Sequence, residues 1–419
     1  MNDTRSERQK ECIHKWIKKN GRGTIVASTG FGKTRIGLMV AFALIKRSPE
    51  YRIIVIVPTE LLQQQWIKQL DSWGLGLNSE VYIINSVVKH SYKCELLILD
   101  ECHRYNSELF RSVFKQVHYQ AVLGLTATFE RLDGLEKIAA QYCPVVDKIT
   151  VEEALINGWV SQYSEYKVIL NNVDLTEYEQ ANTEFQTHFA FFNYNFPLAM
   201  QMVGKDGYKA RIAYRDFLYT GNDLKEQSDT LKQIMIHSVG LMHTMQTRKK
   251  FIYECPDKVR LTREIMKYRS DKKIITFSAT TKIAESIGNG YVYTGKTSKK
   301  KSRIMIEDFM NYVSGTLHTV KKANEGMDIS GLSVAINLYN DSSVIKTIQK
   351  KGRVIRKESN KVAEIFTFVV AGTVEEQWYT NSHPNTNYIT IDEEGLMHVL
   401  KHEPYNIYHK PLMNFAFRY

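Results

Sequence analysis

The chain has 419 residues, a formal net charge of +11, 43% apolar residues and 24% charged residues. This length and composition predict a folded protein of two or three domains, which excludes a mainly disordered chain and a small disulfide-stapled scaffold. The longest apolar run, residues 38–45, is far too short to span a bilayer, and the polar N-terminus lacks a secretory signal, so we expect a cytoplasmic protein without membrane contact.

The first part of the chain alternates short apolar runs with longer polar stretches of helical periodicity. This order predicts parallel strands joined by crossover helices, which is an α/β architecture. The predicted strands cover residues 24–27, 52–57, 81–84, 96–99 and 121–125, and the predicted helices include residues 34–46 and 60–73.

A second α/β set follows a helical, aromatic-rich segment. Its predicted strands cover residues 274–277, 291–294, 317–320, 333–337 and 364–369, and the helices between the two sets cover residues 177–195, 211–220 and 224–247. The predicted layout is a first α/β domain over residues 1–165, a helical segment over 166–255, a second α/β domain over 256–379 and a C-terminal extension over 380–419.

Residues 27–34, A-S-T-G-F-G-K-T, follow a predicted strand and open a predicted helix. In that context a glycine-rich loop lets backbone N–H groups converge on phosphates at the positive end of a helix. The lysine would neutralise the β- and γ-phosphates, and the threonine hydroxyl would hold Mg²⁺. The candidate residues are Thr29, Gly30, Gly32, Lys33 and Thr34. The alternative is a glycine-rich turn with a chance lysine.

Two adjacent carboxylates, Asp100 and Glu101, follow the apolar run 96–99. The C-terminal ends of parallel strands gather ligands, so Asp100 would hold Mg²⁺ and Glu101 would polarise an attacking water. Either carboxylate alone is more often a solvated strand end, but its pairing with an upstream G-K-T favours the catalytic interpretation. The five cysteines are widely spaced without a C-x-x-C pair, which predicts neither a zinc site beside His103 nor a disulfide framework.

The order of these segments resembles superfamily 2 of the helicases and translocases, in its D-E-x-H branch. Residues 57–59 (V-P-T) with Gln65 and Trp66 are similar to the family's motif Ia, and residues 126–128 (T-A-T) are similar to motif III. Within that branch the sequence looks most like the XPB-like and phage UvsW-like DNA remodelling helicases.

The second α/β set carries the remaining motifs of the resemblance. Residues 276–278 (T-F-S) resemble motif IV, residues 324–328 (N-E-G-M-D) resemble motif V, and residues 349–356 (Q-K-K-G-R-V-I-R) resemble motif VI. Lys350 departs from the family, which usually has arginine there. The match implies that Arg353 and Arg356 reach across a cleft to the γ-phosphate of ATP.

The resemblance implies two tandem RecA-like domains and roles for further residues. Gln9 would read the adenine, although Ser6 stands where the family has an arginine. The other implied nucleotide contacts are Gly326, Asp328 and Gln349, and the implied coupling residues are His103, Thr126 and Thr128. The candidate nucleic-acid contacts are Pro58, Thr59, Gln65, Ser278, Lys249 and Lys250.

Two features of the middle of the chain leave alternatives open. Phe185, Phe189, Phe192 and Phe196 recur on one helical face, which favours a core over stacking on unpaired bases. Residues 248–303 carry 16 basic against 5 acidic side chains, a local positive field that either contacts phosphates or forms a solvated face.

The function that these patterns favour is an ATP-dependent DNA helicase or translocase that uses ATP and Mg²⁺. It would act on single-stranded, forked or branched DNA without sequence preference, as in branch migration, recombination and repair, in the host cytoplasm if a phage encodes it. The alternatives are an RNA helicase, a double-stranded DNA translocase without unwinding and an ATP-gated clamp. A monomer is the simplest expectation for the oligomeric state.

Overall fold

The computed structural model describes residues 4–87, 90–103, 108–127, 140–203, 207–221, 223–320, 329–358, 361–384 and 386–402. It contains two parallel sheets, each flanked by helices, which confirms the predicted α/β class. Residues 176–253 contain a group of helices, as the aromatic-rich segment predicts.

The first sheet and its helices form what we call the first lobe. The strands are β1 (Arg22–Ala27), β2 (Ile53–Val57), β3 (Ser79–Ile83), β4 (Tyr92–Asp100), β5 (Val117–Thr126) and β6 (Val145–Ile149). The helices are α1 (Thr4–Ile17), α2 (Lys33–Arg47), α3 (Glu60–Ser72), α4 (Ile84–Val87), α5 (Glu108–Gln116) and α6 (Val151–Ile156). The strand order is β3-β2-β4-β5-β1-β6. Because every pairing is parallel, β1 and β4 end at the same edge of the sheet.

The second sheet and its helices form the second lobe. The strands are β7 (Gln162–Leu170), β8 (Lys273–Ser278), β9 (Tyr291–Tyr293), β10 (Gly315–Val320), β11 (Leu332–Asn337), β12 (Val362–Val370) and β13 (Ile389–Ile391). The helices are α11 (Pro256–Tyr268), α12 (Thr281–Ile287), α13 (Lys299–Asn311), α14 (Val344–Val354), α15 (Val374–Ser382) and α16 (Glu393–Lys401). The strand order is β13-β7-β12-β11-β8-β10-β9, and all pairings are parallel.

Strand β7 corrects the predicted domain boundaries. It pairs with β12 over nine residues, so the boundary expected after residue 165 falls inside a strand of the second lobe. Strand β13 pairs with β7, so residues 389–391 also belong to this sheet and not to a separate extension. Sequence patterning missed β7 because Glu165 interrupts its apolar run, although Glu165 is buried and bound to Lys351.

Helix α1 is fixed to the edge of the first sheet by a group of charges. Arg8 donates to both carboxylate oxygens of Asp147 and to Glu153 on α6. Burial alone would raise the pKa of Asp147, but hydrogen bonds from Arg8 and Lys15 outweigh it and lower that pKa to about 2. The start of the chain is therefore held close to the loop between β1 and α2.

Four helices, α7 (Thr176–Ala190), α8 (Phe196–Val203), α9 (Gly207–Leu218) and α10 (Leu224–Tyr253), form what we call the helical layer. Phe185 and Phe192 are buried in its core, as their spacing predicts, whereas Phe196 is 49% exposed.

Part of the basic stretch, residues 248–303, is buried. Arg248 is buried over the ring of Phe185 at 4.2 Å, and Lys273 is buried with its ammonium donating to a carbonyl of α13.

The state of the cysteines and the hydropathy of the helices are two further features of the fold. Cys12, Cys94, Cys102, Cys143 and Cys255 are buried free thiols. Across the described ranges, no helix combines the length and the hydropathy needed to cross a bilayer.

Candidate active site

The loop between β1 and α2 has the geometry expected for phosphate binding. Gly30 and Gly32 have φ angles of 90° and 96°, which favour glycine, and Gly32 directly precedes α2. Lys33 is the first residue of α2, and its ammonium donates to the carbonyl of Ala27 at 3.2 Å. Thr34 lies half-buried in the same first turn. The loop therefore places a lysine and a hydroxyl at the positive end of a helix.

Helix α1 supports this loop from behind. The Phe31 carbonyl accepts from Arg5 Nε at 2.8 Å and from Gln9 Nε2 at 2.9 Å, and the Gly30 carbonyl accepts from Arg5 Nη2. Gln9 is fully buried, and within the described residues its Oε1 has no hydrogen-bond partner. One end of the Gln9 amide therefore fixes the loop while the other retains an acceptor.

Asp100 is the last residue of β4 and is held by a tryptophan. The Trp66 indole Nε1 donates to Asp100 Oδ2 at 2.9 Å, and the backbone N–H of Glu101 donates to Oδ1. Burial and the neighbouring charge of Glu101 raise the pKa of Asp100 to about 6, although the Trp66 hydrogen bond and the charge of Lys33 act in the opposite direction. A buried carboxylate in this position would be stabilised by a cation.

Glu101 has a backbone φ of 50°, which is uncommon for a residue other than glycine. Its Oε2 is buried without a hydrogen-bond partner among the described residues and lies 3.4 Å from His103 Nδ1. His103 Nδ1 is also 2.9 Å from the Thr126 hydroxyl at the end of β5. His103 thus links Glu101 to Thr126 at the end of β5, and both His103 and Thr126 are among the coupling residues that the resemblance implies.

The second lobe reaches this loop with the end of α14. A methyl group on Gly352 would lie 2.1 Å from Thr29 Cβ, and one on Gly30 would lie 3.7 Å from Arg356 Cα. Arg353 is buried, and burial lowers the pKa of Arg356 from its ordinary value. The lysine loop and the arginine segment, distant in the sequence, therefore meet in one cleft.

The two lysines before Gly352 face away from the cleft. The ammonium of Lys350 lies 3.8 Å from the centre of the Tyr339 ring and donates to the Tyr339 carbonyl. Lys351 forms an ion pair with Glu165 at 2.5 Å. Both side chains are buried, so they fasten α14 to the second sheet. Gln349, a predicted nucleotide contact, is half-buried on the same helix.

The predicted nucleic-acid contacts fall into different environments. Pro58, Thr59 and Gln65 are half-buried at the start of α3, where the Thr59 hydroxyl caps the helix by accepting from the Leu62 N–H. Lys249 and Lys250 are exposed on α10.

Ser278 requires a correction. It is fully buried at the end of β8, so its side chain is not available to a nucleic acid in this structure. Gly326, Asp328 and Thr128 lie outside the described residues.

Two supporting side chains were not assigned their roles from the sequence. Arg5 lies next to Ser6, the position where the family has an arginine, and Trp66 lies in the segment similar to motif Ia. The signal available for Trp66 is its spacing with Leu62 and Leu70, which lie four residues before and after it on one helical face and predict burial against the sheet. Its contact with Asp100 depends on the pairing of β2 with β4, which the sequence does not specify.

The polar atoms of the cleft fit a polar, charged ligand. The buried atoms near the phosphate loop that have no hydrogen-bond partner in the part of the chain that the structure describes include Gln9 Oε1, Ser28 Oγ and Glu101 Oε2. Buried polar atoms usually have partners, so these are candidates for ligand contacts. The same part of the chain contains no group of three side chains able to hold a metal alone, so a metal here would need ligands from the nucleotide as well.

Comparison with family models matches both lobes. The model described as type III restriction enzyme, res subunit, matches residues 4–94 and 79–131. The model described as helicase conserved C-terminal domain matches residues 257–358. These ranges include the phosphate loop and Asp100 in the first lobe, and Arg353 and Arg356 in the second.

Individual relatives of this chain are named as a translocase and as a helicase. The chain is 25% identical over 390 residues to the DNA 3'-5' translocase XPB2 of Sulfurisphaera tokodaii, a match that covers 88% of this chain and 82% of that protein. It is 28% identical over 183 residues to a candidate ATP-dependent RNA helicase of African swine fever virus, over 37% of this chain and 35% of that protein.

A solved structure shares the fold. The structure of S. cerevisiae Dbp5 bound to RNA and ADP BeF3 superposes with a TM-score of 0.58 at 13% identity, covering 94% of this chain and 91% of that chain.

Proposed function

Because this chain is a superfamily 2 helicase of the XPB-like type, we propose that it hydrolyses ATP to move along DNA and remodel it. The observation that carries the proposal is the contact between the phosphate loop and the arginine segment, at Thr29 with Gly352 and Gly30 with Arg356. A triphosphate held by this loop would touch both lobes. Its binding and hydrolysis would therefore change how the lobes contact each other.

The residues of the cleft fit the steps of phosphoryl transfer to water. Lys33 would neutralise the β- and γ-phosphates. Glu101, whose Oε2 has no hydrogen-bond partner among the described residues and lies 3.4 Å from His103 Nδ1, would orient and polarise the attacking water. Thr34 and Asp100 would hold Mg²⁺ together with the phosphates, and the ion would offset the charge of the phosphates and carboxylates. Arg353 and Arg356 would stabilise the charge of the transferring phosphoryl group.

Gln9 would select the base. Its Nε2 is occupied by the Phe31 carbonyl, and its Oε1 remains an acceptor. Adenine offers an N–H donor on its exocyclic amine, whereas guanine has a carbonyl at that position, so this acceptor favours ATP over GTP.

The track would be gripped through its phosphates. Pro58, Thr59 and Gln65 would contact the backbone of one strand, and Lys249 and Lys250 would add positive charge from the helical layer. Such contacts carry no sequence information and weaken as salt increases. Thr128, Gly326 and Asp328 keep the roles implied by the family motifs, as predictions from sequence.

DNA is the proposed track because the relative matched over most of both chains is named a DNA translocase. Forked or branched DNA, as arises in recombination and repair, is the finer proposal and rests on the resemblance to branch-migrating enzymes. RNA is the second candidate, because a viral relative is named as an RNA helicase over 37% of this chain.

The test measures steady-state ATP hydrolysis with single-stranded, duplex, forked and four-way DNA and with single-stranded RNA. We expect stimulation by DNA, strongest with the branched forms, and loss of hydrolysis in Lys33→Ala. Lys46→Ala is the matched control, because Lys46 is an exposed lysine on the same helix, away from the loop.

Three outcomes would contradict the proposal in different ways. Near-normal hydrolysis by folded Lys33→Ala would remove the phosphate loop from the mechanism. Stronger stimulation by RNA than by any DNA would favour the RNA helicase. Hydrolysis that no nucleic acid changes would leave an ATP-gated clamp.

A further inference from the structure

Three consecutive residues, Trp159, Val160 and Ser161, connect the two lobes, and we call them the strap. They follow α6 of the first lobe and precede β7 of the second. All three are buried, with 5%, 2% and 4% exposure, which is unusual for a connection between domains. Their contacts reach the phosphate loop on one side and the arginine segment on the other.

The strap is fixed to the first lobe by the way α6 ends. Gly158 has a φ of 63° and donates to the Leu155 carbonyl, and the Trp159 N–H donates to the Ala154 carbonyl at 2.8 Å. This pair of bonds is the Schellman pattern, in which a glycine ends the helix and redirects the chain. The chain direction at Trp159 is therefore set by the first lobe.

The side chains of the strap continue this attachment to the phosphate loop. The centres of the Trp159 and Phe31 rings are 5.2 Å apart, and the Trp159 indole donates to the Thr4 hydroxyl at 3.0 Å. A methyl group on Gly30 would lie 3.3 Å from Val160 Cγ1. A shift of the phosphate loop would therefore press on the strap directly.

Ser161 attaches the strap to the arginine segment by three hydrogen bonds. Its N–H donates to the Ile355 carbonyl at 2.8 Å, and its hydroxyl donates to the Arg356 carbonyl at 2.8 Å. The same hydroxyl accepts from the Glu358 N–H at 3.2 Å. The backbone and the side chain of Ser161 together thus fix the chain on both sides of Arg356, and the hydroxyl bonds directly to the Arg356 carbonyl.

We infer that the strap sets the position of Arg356 relative to the phosphate loop, with Ser161 as the positioning residue. The inference rests on the proposed function, because it assigns Ser161 an effect that acts through Arg356. Hydrolysis requires the guanidinium at the transferring phosphoryl group, and a misplacement of about 1 Å costs up to about 100-fold in rate. Nucleotide binding depends mainly on the loop itself and does not need this placement.

The experiment compares Ser161→Ala, Arg356→Ala and the double variant. We expect Ser161→Ala to lower kcat by about 10- to 100-fold, with an unchanged Kd for a fluorescent ATP analogue. In the Arg356→Ala background, Ser161→Ala should cause little further loss, because the group that it positions is gone. A merely structural role would lower kcat by the same factor in both backgrounds.

Ser238→Ala is the matched control, since Ser238 is another buried serine whose hydroxyl bonds to a backbone carbonyl, in the helical layer away from the cleft. It should leave kcat unchanged. Val160→Gly is the second variant if Ser161→Ala fails to fold, because it loosens the strap without altering Ser161. It should show the same loss and the same dependence on Arg356.

The outcomes separate the inference from the function on which it rests. If Arg356→Ala lowers kcat but Ser161→Ala does not, or if their losses multiply, the strap inference is overturned and the proposed function stands. If Ser161→Ala weakens the Kd instead of kcat, the strap serves nucleotide binding and the inference is again overturned. If Arg356→Ala leaves kcat unchanged, the arginine mechanism fails and the inference fails with it.

Discussion

Two pairs of charged side chains, one pair in each lobe, have opposite electrostatic environments. In the second lobe, Lys258 and Glu375 form an ion pair at 2.8 Å with both side chains fully buried. In the first lobe, Asp100 and Glu101 are neighbours of like charge, and the pKa of Asp100 is raised to about 6 by burial and by Glu101. Burial of a charge therefore stabilises α15 in one lobe and costs stability at the end of β4 in the other.

The difference shows which buried charges belong to the fold and which belong to a ligand. Glu375 accepts from Lys258, from the Asn340 amide and from the Val370 N–H, so protein groups satisfy it. Glu101 keeps an oxygen without a hydrogen-bond partner among the described residues. Substitutions that remove a charge should therefore have opposite effects on stability at these two pairs.

The largest effect is expected for Glu375→Ala. This change leaves the Lys258 ammonium buried without its carboxylate, which should lower the free energy of unfolding by about 3 to 5 kcal/mol. The measurement is urea unfolding followed by circular dichroism. Glu376→Ala is the control, because the neighbouring carboxylate only accepts an exposed hydrogen bond from the Gly372 N–H and should change stability by less than about 1 kcal/mol. Equal effects of the two variants would contradict the distinction between the lobes.

Asp100→Asn should have the opposite sign. Folding raises the pKa of Asp100 from 3.8 to about 6, which corresponds to about 3 kcal/mol of destabilisation by the ionised form at pH 8. Asparagine cannot accept from both Trp66 and the Glu101 N–H, which costs about 1 kcal/mol. We therefore expect a net gain of about 2 kcal/mol in Mg²⁺-free buffer, together with loss of ATP hydrolysis.

The pH dependence checks the cause of this gain. Asp100 binds its proton more readily in the folded than in the unfolded chain, so its penalty is complete above pH 6 and disappears as the pH falls towards 3.8. Thermal melts in EDTA should show that Asp100→Asn gains stability at pH 8 and loses that gain near pH 4. A gain of the same size at both pH values would attribute it to packing and not to charge.

The sequence predicts the parts of the molecule that depend on local pattern. Strand β2 and residues 96–99 of β4 are continuous apolar runs, and the phosphate loop and the Asp100–Glu101 pair are contiguous motifs. The short or charged strands β7 and β13 lack that pattern, and their place in the sheet follows from pairing with residues far along the chain.

The local sequence pattern does not predict contacts between residues that are distant in the chain. The hydrogen bond from Ser161 to Arg356 joins residues 195 positions apart, and the Trp66 bond to Asp100 spans 34 positions. Each depends on how two elements pack, and neither residue lies in a periodic pattern that shows its partner. The motif that contains Arg356 predicts its role, but the residues that hold it become visible only in the structure.

The smallest effect is expected for Trp66→Phe, which tests whether one hydrogen bond offsets part of the charge cost in the first lobe. Phenylalanine keeps an aromatic ring at this buried position but removes the N–H that donates to Asp100. We expect a loss of about 1.5 kcal/mol at pH 8, since hydrogen bonds to charged groups are worth about 1.5 to 3 kcal/mol. In the Asp100→Asn background the loss should fall below about 1 kcal/mol, because the acceptor is then neutral. Trp73→Phe, at the end of the same helix, is the control. Equal losses with aspartate and asparagine at position 100, measured by circular dichroism, would mean that Trp66 contributes packing alone and that the first lobe carries its buried charge without this support.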